Sequence, residues 1–170
     1  METSAQTDRF VHERRPAPDA LPALRYDLLP ELQLPEQLNL VHELLDRAAD
    51  KGVAQRPMLR SPGVVLTYAQ AAERVRAIHQ VLVQDLGLTP GNRVLLRGGN
   101  SIGMALAWLA VVRAGLVAVA TMPLLRAKEL GDIIDKAQPD VALCDARLQE
   151  ELVLAQAAHP VLQRILAFNS

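Results

Sequence analysis

The sequence predicts an α/β fold: a mostly parallel, doubly wound sheet with helices on both faces, preceded by an N-terminal arm and a β-hairpin. Three observations carry this. From Arg93 onward, four short apolar runs are separated by segments of helical periodicity, with brief connections between them. The runs (RVLLR, LVAVAT, VALC, RILAF) lack the polar alternation of a half-solvated strand, so both their faces are expected to be covered. The helical segment 102–112 is apolar nearly all round, as suits a helix buried between layers. Right-handed crossovers follow from the parallel arrangement.

Each element has its own local reason. Residues 1–37 carry five of the eleven prolines, at positions 16, 18, 22, 30 and 35, among scattered charges. They read as an extended, partly disordered arm, and residues 38–170 as the α/β unit. Asn39 caps a helix over LVHELLDRAADK, with Leu40, Leu44, Leu45 and Ala48 on one face and Gly52 as the stop. PMLRSPGVVLTY places two apolar runs around Ser61-Pro62-Gly63, a β-hairpin. Thr67 and Gln70 have capping-box spacing and open a helix. Tyr68, Ala71, Ala72, Val75, Ile78, Leu82 and Leu86 line its inner face, and Gly87 closes it. After the turn Leu88-Thr89-Pro90-Gly91 come strand 93–97, a helix capped by Ser101, and strand 116–121. Helix 127–137 leads to strand 141–144. Asp145 then caps a helix to about Ala158, and strand 164–168 is last.

Composition excludes several functions. A chain of 170 residues fits one domain able to bury roughly 70% of its unfolded surface. Half the residues are hydrophobic but only 3% aromatic, so Leu, Val, Ile and Ala must build the core. A net charge of −1 gives no electrostatic footprint for nucleic acid, and five scattered aromatics make no base-stacking platform. Cys144 is the sole cysteine, so no intrachain disulfide forms. The first twenty residues have no apolar run of a secretory signal, and Glu2, Asp8, Glu13 and Asp19 oppose a transit peptide; a cytoplasmic protein is expected. Residues 102–125 are long enough to span a bilayer. Against that, Arg113 would sit mid-span at about 2.5–3.5 kcal/mol. Gly115 and Pro123 also divide the run into two shorter buried elements.

Ligands of such sheets bind at the carboxyl ends of the strands. The candidate loops are Gly98-Gly99-Asn100-Ser101, Thr121-Met122-Pro123 and Asp145. The first offers Asn100 and Ser101 at a helix N-terminus, whose free N–H groups favour anions. Its glycines at 98, 99 and 103 miss the GxGxxG spacing, and the strand ending at Thr121 brings no acidic residue for a ribose. A tight turn that needs glycine conformations is the plainer reading. The histidines at 12, 42, 79 and 159 never pair at i, i+4 and none neighbours Cys144, so no metal site is expected. Cys144 reads as a small core residue, and Gln149-Glu150-Glu151 as a solvated helix face. No glycine follows Gly131 and no lysine follows Lys136, which excludes a phosphate-gripping loop in the last third. No residue set makes a complete active site, and no catalytic residue is assigned.

The ordered set of segments LTYAQAAERV, GNRVLLRGGNS and RAGLVAVATMPLLRAKELGDIIDKAQPDVALCD resembles the N-terminal part of the AMP-forming acyl- and aryl-CoA ligases, the adenylate-forming superfamily. Within it, TMPLLRAKEL followed by ALCDARL, with the leader LPELQLPEQLNLVHELLD, is most similar to 2-aminobenzoate- and benzoate-CoA ligases, enzymes of aromatic compound degradation. The resemblance implies that Gly115 ends the buried helix, that 116–121 is an inner strand, and that Pro123 turns the chain at the ligand-facing end. Some relatives place an arginine directly after this proline to meet a phosphate of CoA. Here that position is Leu124, and Arg126 two residues on is the candidate, the alternative being a solvated helix start. The complete family enzyme uses ATP, Mg and CoA. Its Ser/Thr/Gly-rich phosphate loop, magnesium-binding glutamate, ribose-binding aspartate and C-terminal lysine have no counterpart among these residues. The resemblance therefore implies a fragment with no ligase activity alone, binding none of the three tightly. Its expected partners are the remainder of the ligase chain, or a second copy through an exposed apolar face. A free-standing interaction module, or one half of a split ligase, is the alternative.

Overall fold

Helix α1 (Phe10–Glu13) and a 3-10 turn (Pro18–Ala20) punctuate the proline-rich segment expected as an extended arm. The structure, a computed structural model, describes residues 5–23, 25, 29, 31, 35, 37–48 and 50–169; the rest of that arm lies outside them. Just before α1 the segment is tied down. The N–H groups of Thr7 and Asp8 both donate to the Pro90 carbonyl at 3.0 Å. Asp8 accepts hydrogen bonds from Asn92 Nδ2 (2.8 Å) and Arg93. The guanidinium groups of Arg14 and Arg93 sit 3.7 and 4.1 Å from the Phe10 ring centroid.

Asn39 caps α2 (Leu40–Leu44), accepting from Val41 N and His42 N as its sequence position predicts. This helix is shorter than the pattern suggested, giving way to a 3-10 turn (Asp46–Ala48), and its inner face is turned by one residue. Val41, Leu45 and Ala48 are buried while Leu40 and Leu44 are exposed. The reason is tertiary: Asn39 Nδ2 bonds the Arg113 carbonyl and Asp46 pairs with the Arg113 side chain, which fixes the roll of the segment. The hairpin forms as expected from β1 (Pro57–Ser61) and β2 (Val64–Thr67), with Gly63 at φ +74° in its turn. Thr67 and Gln70 make the capping box of α3 (Tyr68–Gln80), which runs on through a π-turn (Val81–Asp85) to Gly87.

The remaining strands are β3 (Arg93–Arg97), β4 (Val117–Thr121), β5 (Val141–Asp145) and β6 (Arg164–Phe168), all parallel, in the order β4-β3-β5-β6. Their crossovers are α4 (Ile102–Arg113), α5 (Ala127–Ala137) and, after a 3-10 turn at Ala146–Leu148, α6 (Gln149–Ala158). The pleat sorts the side chains into two cores. Val94, Leu96, Val141 and Leu143 pack with α3 and α4, whereas Leu95, Ala142 and Cys144 pack with Leu130, Ile134, Leu152 and Ala155 of α5 and α6. Helices on both faces confirm the doubly wound arrangement. β4, expected inside, lies instead at an edge, because the chain leaving it crosses back over β3 to start β5 on the far side. The run 102–125 is thus one helix and one strand, and among the described residues no helix is long and apolar enough to cross a membrane.

Gly91 is where the N-terminal segment and the sheet come closest. Its φ is +96°, and a Cβ there would lie 2.4 Å from the Asp8 carbonyl oxygen. We predict that Gly91→Ala lowers stability by about 1–3 kcal/mol through backbone strain and displacement of the segment. Urea denaturation and tryptic cleavage after Arg9 and Arg14 read both effects; unchanged protection of those bonds would disprove the tether.

Candidate functional site

β3 sends its crossover to one face of the sheet and β5 sends its own to the other, so a crevice opens outside their carboxyl ends. Three side chains decide its shape. Arg97 closes β3 at only 1% exposure, buried in the α5/α6 face. Its Nε donates to Leu148 O (3.1 Å), Nη1 to Met122 O (3.0 Å), and Nη2 to Pro123 O (3.1 Å) and Leu125 O (2.8 Å). One guanidinium therefore fixes the loops that follow both β4 and β5. The planar fork is what permits this; an ammonium could not span four carbonyls in two loops.

Asp145, fully buried, closes β5. Arg147 meets it bidentately, Nε to Oδ1 at 2.9 Å and Nη2 to Oδ2 at 2.7 Å, and adds its backbone N–H at 3.0 Å. Asn169 Nδ2 donates to the same carboxylate at 2.9 Å. The bonds from Arg147, helped by Asn169, outweigh burial and hold this carboxyl well below the usual carboxylate range. Asn169, in the left-handed region at φ +58°, also reaches Ser101 Oγ at 3.3 Å, linking the loop after β3 to the end of β5.

The expected site residues are distributed as follows. Ser101 caps α4, its Oγ accepting from Met104 N at 3.1 Å. Asn100 is exposed and lines, with Ser101, Met104 and Trp108, an open cavity of about 450 Å³. Arg126 stands apart from both, 76% exposed, with Nη1 on Glu151 Oε1 at 2.8 Å. Glu151 is not on a solvated face as expected: its other oxygen accepts from Ala127 N (2.8 Å), so it caps α5 from a neighbouring helix. The bond from Arg126 and then that from Ala127 lower its pKa. Arg147 borders both neighbouring cavities, one of about 210 Å³ with Arg126 and one of about 500 Å³ with Ser101, Arg74 and Asn169.

The glycines before α4 serve a purpose other than the expected one. None of Gly98, Gly99 and Gly103 has positive φ. A Cβ on Gly98 would lie 2.9 Å from Phe168 Cζ, and one on Gly103 would lie 2.5 Å from Asn169 Oδ1. Gly98, in the loop, and Gly103, in the first turn of α4, are small so that Phe168 and Asn169 can pack against them. Cys144 is the core residue expected, its thiol pushed up to about 11 by burial. Among the described residues no group of three His, Cys, Asp or Glu could hold a metal ion, and the crevice carboxylates of Asp145 and Glu151 are already committed to arginines. These residues do not fit a magnesium ion. Arg97, Arg147 and Asn169 were not singled out in the sequence. The one available signal was a charged residue at the end of an apolar strand.

A parallel, doubly wound sheet with a crevice at the carboxyl ends of its central strands defines the chain as an α/β protein of the kind in which that crevice is the usual place for a ligand. Its sequence matches the AMP-binding enzyme family over residues 45–169, well over half its length, and the chain belongs to that family. It is 34% identical over 96 residues to the long-chain-fatty-acid–CoA ligase of Salmonella typhimurium, covering 56% of this chain and 17% of that one. It is also 34% identical over 109 residues to the salicyl-AMP ligase/salicyl-S-ArCP synthetase of Mycobacterium tuberculosis, covering 59% and 19%. The anthranilate-CoA ligase AuaEII, solved with anthranoyl-AMP, superposes with a TM-score of 0.74 at 22% identity, over 79% of this chain and 26% of that one. MatB of Rhodopseudomonas palustris, solved with ATP bound, gives 0.64 at 26% identity over 75% and 24%. The chain thus spans between a sixth and about a quarter of the length of these proteins.

Two outcomes test this geometry. Arg97→Met, which keeps the volume but takes the donor from four partly buried loop carbonyls, should cost about 1–3 kcal/mol in urea unfolding; a loss below about 0.5 kcal/mol would show that the loops hold themselves. Asp145 has a folded pKa below its unfolded one, so its stabilisation is present above about pH 4 and is lost as pH falls below that. Asp145→Asn should therefore be less stable at neutral pH and lose less stability on acidification. Parallel acid-unfolding curves for the two proteins would contradict this.

Proposed function

We propose that the chain supplies the N-terminal part of an ATP-dependent, AMP-forming ligase that joins an aromatic carboxylic acid to CoA. The observation carrying this reading is the family match across residues 45–169, on a sheet whose crevice opens where ligands of such folds bind. The salicylate-activating relative and the similarity of fold to anthranilate- and benzoate-CoA ligases support an aromatic acid.

In this reaction a carboxylate oxygen attacks the α-phosphorus of ATP and pyrophosphate leaves. The CoA thiol then displaces AMP from the acyl-adenylate, giving up its proton to solvent. Positioning and charge neutralisation do most of such work. The role of this chain is positional: Arg97 fixes the two loops flanking the crevice, and the Ser101–Asn169–Asp145 bonds close its floor. The groups that grip the triphosphate and magnesium come, in this reading, from further polypeptide of the ligase. Arg126 is the contact for a CoA phosphate, which would displace Glu151 from the guanidinium.

The isolated 170-residue chain is expected to show no carboxylate-dependent ATP–pyrophosphate exchange; exchange above background would refute the fragment reading. In a complete ligase carrying this segment, Arg126→Ala is expected to raise the KM for CoA several-fold with kcat little changed. An unchanged KM would remove Arg126 from the site.

A further inference from the structure

Near the end of α3 stands the one buried side-chain nitrogen or oxygen that, among the described residues, has no hydrogen-bond partner: Nδ1 of His79. Solvent does not reach this atom, so bulk water cannot take the place of the missing partner. A neutral ring tolerates the position with its proton on Nε2, because an unused lone pair carries no net charge. A protonated ring does not, since Nδ1 would become a charged donor with nothing to accept from it.

The surroundings add charge of the same sign. Arg113, the last residue of α4, is the charge that bears on the ring; burial, and then this guanidinium, hold the His79 pKa below the usual histidine range. Arg113 is itself held in place. Its Nη1 donates to Asp46 Oδ2 at 2.5 Å, and its carbonyl accepts from Asn39 Nδ2 at 2.9 Å. Asp46, in the 3-10 turn, also takes His42 Nδ1 on the same oxygen (3.1 Å) and Arg76 Nη1 on the other (3.4 Å). Glu43, the carboxylate of α2, is occupied by Arg47 of that turn at 2.7 Å. β1 and β2 bring the apolar Met58, Leu59 and Leu66 to the core beside α3, and Asp85 of the π-turn is exposed. The helix runs on past His79 to Asp85, so its negative end, which would favour a charged ring, lies further along. One carboxylate therefore serves two arginines, with a histidine beside it and another beside its arginine.

We propose that His79 is an acid sensor seated where α2, the 3-10 turn Asp46–Ala48, α3 and α4 meet. Its protonation unseats α2 and that turn while the sheet stays folded. A charged His79 sets a third cation, with Arg113 and Arg76, against the single charge of Asp46. Arg113 must then face the charged ring or let go of Asp46, and Asp46 is what fixes the roll of α2. The sign follows from the ring's environment. The folded ring takes its proton at lower pH than the unfolded chain does, so stability falls as pH drops below the unfolded histidine value of about 6.5. That window lies above the one in which Asp145 acts, so the two effects are separable. The inference rests on this corner alone and not on the ligase reading.

The test is a pH titration of the intact chain. By NMR, the ring C–H signals of His79, assigned through its backbone, are expected to titrate below their midpoint in the urea-denatured chain. Native-state hydrogen exchange, corrected for the intrinsic rate, is followed in parallel from about pH 7 to about pH 5.5. Over that range the amides of α2 and the 3-10 turn should lose protection several-fold while those of β3 and β5 hold theirs. His79→Gln is neutral at every pH and suits a helix, so it should abolish this loss and keep the protection seen at neutral pH. A His79 ring that titrates at or above its denatured midpoint overturns the proposal, and this readout needs no variant. So does exchange at α2 that depends on pH equally in the wild type and in folded His79→Gln. Neither result bears on pyrophosphate exchange, so this inference and the ligase reading fail separately.

Discussion

A single buried guanidinium holds the ligand-facing end of this fold together. Arg97 stands at the end of the central strand, and its bonds to Met122, Pro123, Leu125 and Leu148 gather the loops from two neighbouring strands onto one point. Loop carbonyls gathered at strand ends are partly shielded from water and need donors; a planar group with five N–H bonds meets several of them at once. The amino-terminal end repeats the device. Arg93, on the same face two pleats earlier, bonds the Ala137 and Gln138 carbonyls and pairs with Asp8. β3 is thus pinned at both ends by arginines, with Leu95 between them in the core.

This arrangement separates stability from function. The two hydrophobic cores lie under α3 and α4 on one face and under α5 and α6 on the other. The crevice at the strand ends is built from polar groups already satisfied by one another: Asp145 by Arg147 and Asn169, Glu151 by Arg126 and the start of α5. A preorganised rim of this kind suits a site whose reactive groups come from elsewhere, because it offers shape without unpaired charge. Glycines at 98 and 103 belong to the same plan, since they let Phe168 and Asn169 approach the loop that leads into α4 and the first turn of that helix.

The family match and the exposed apolar side chains agree physically. A chain spanning at most about a quarter of the structures it superposes on would be expected to leave apolar surface where those structures continue. Trp108 and Leu124 are apolar side chains left in contact with solvent, and β4 carries no charge.

The sequence by itself determined the secondary structure and the layering. Periodicity placed α5 and β6 residue for residue, the Thr67–Gln70 box and the Asn39 and Ser101 caps are local chemistry within a few residues, and unbroken apolar strands dictated cover on both faces. Tertiary structure alone decided which strand lies at the edge, why the glycines at 98 and 103 are small, the roll of α2, and the partners of Arg97, Glu151 and Asn169. The reason is range. Caps and amphipathic faces are set by neighbours three or four residues away, whereas a guanidinium 25 or more residues from its carbonyls leaves no periodic trace in the chain.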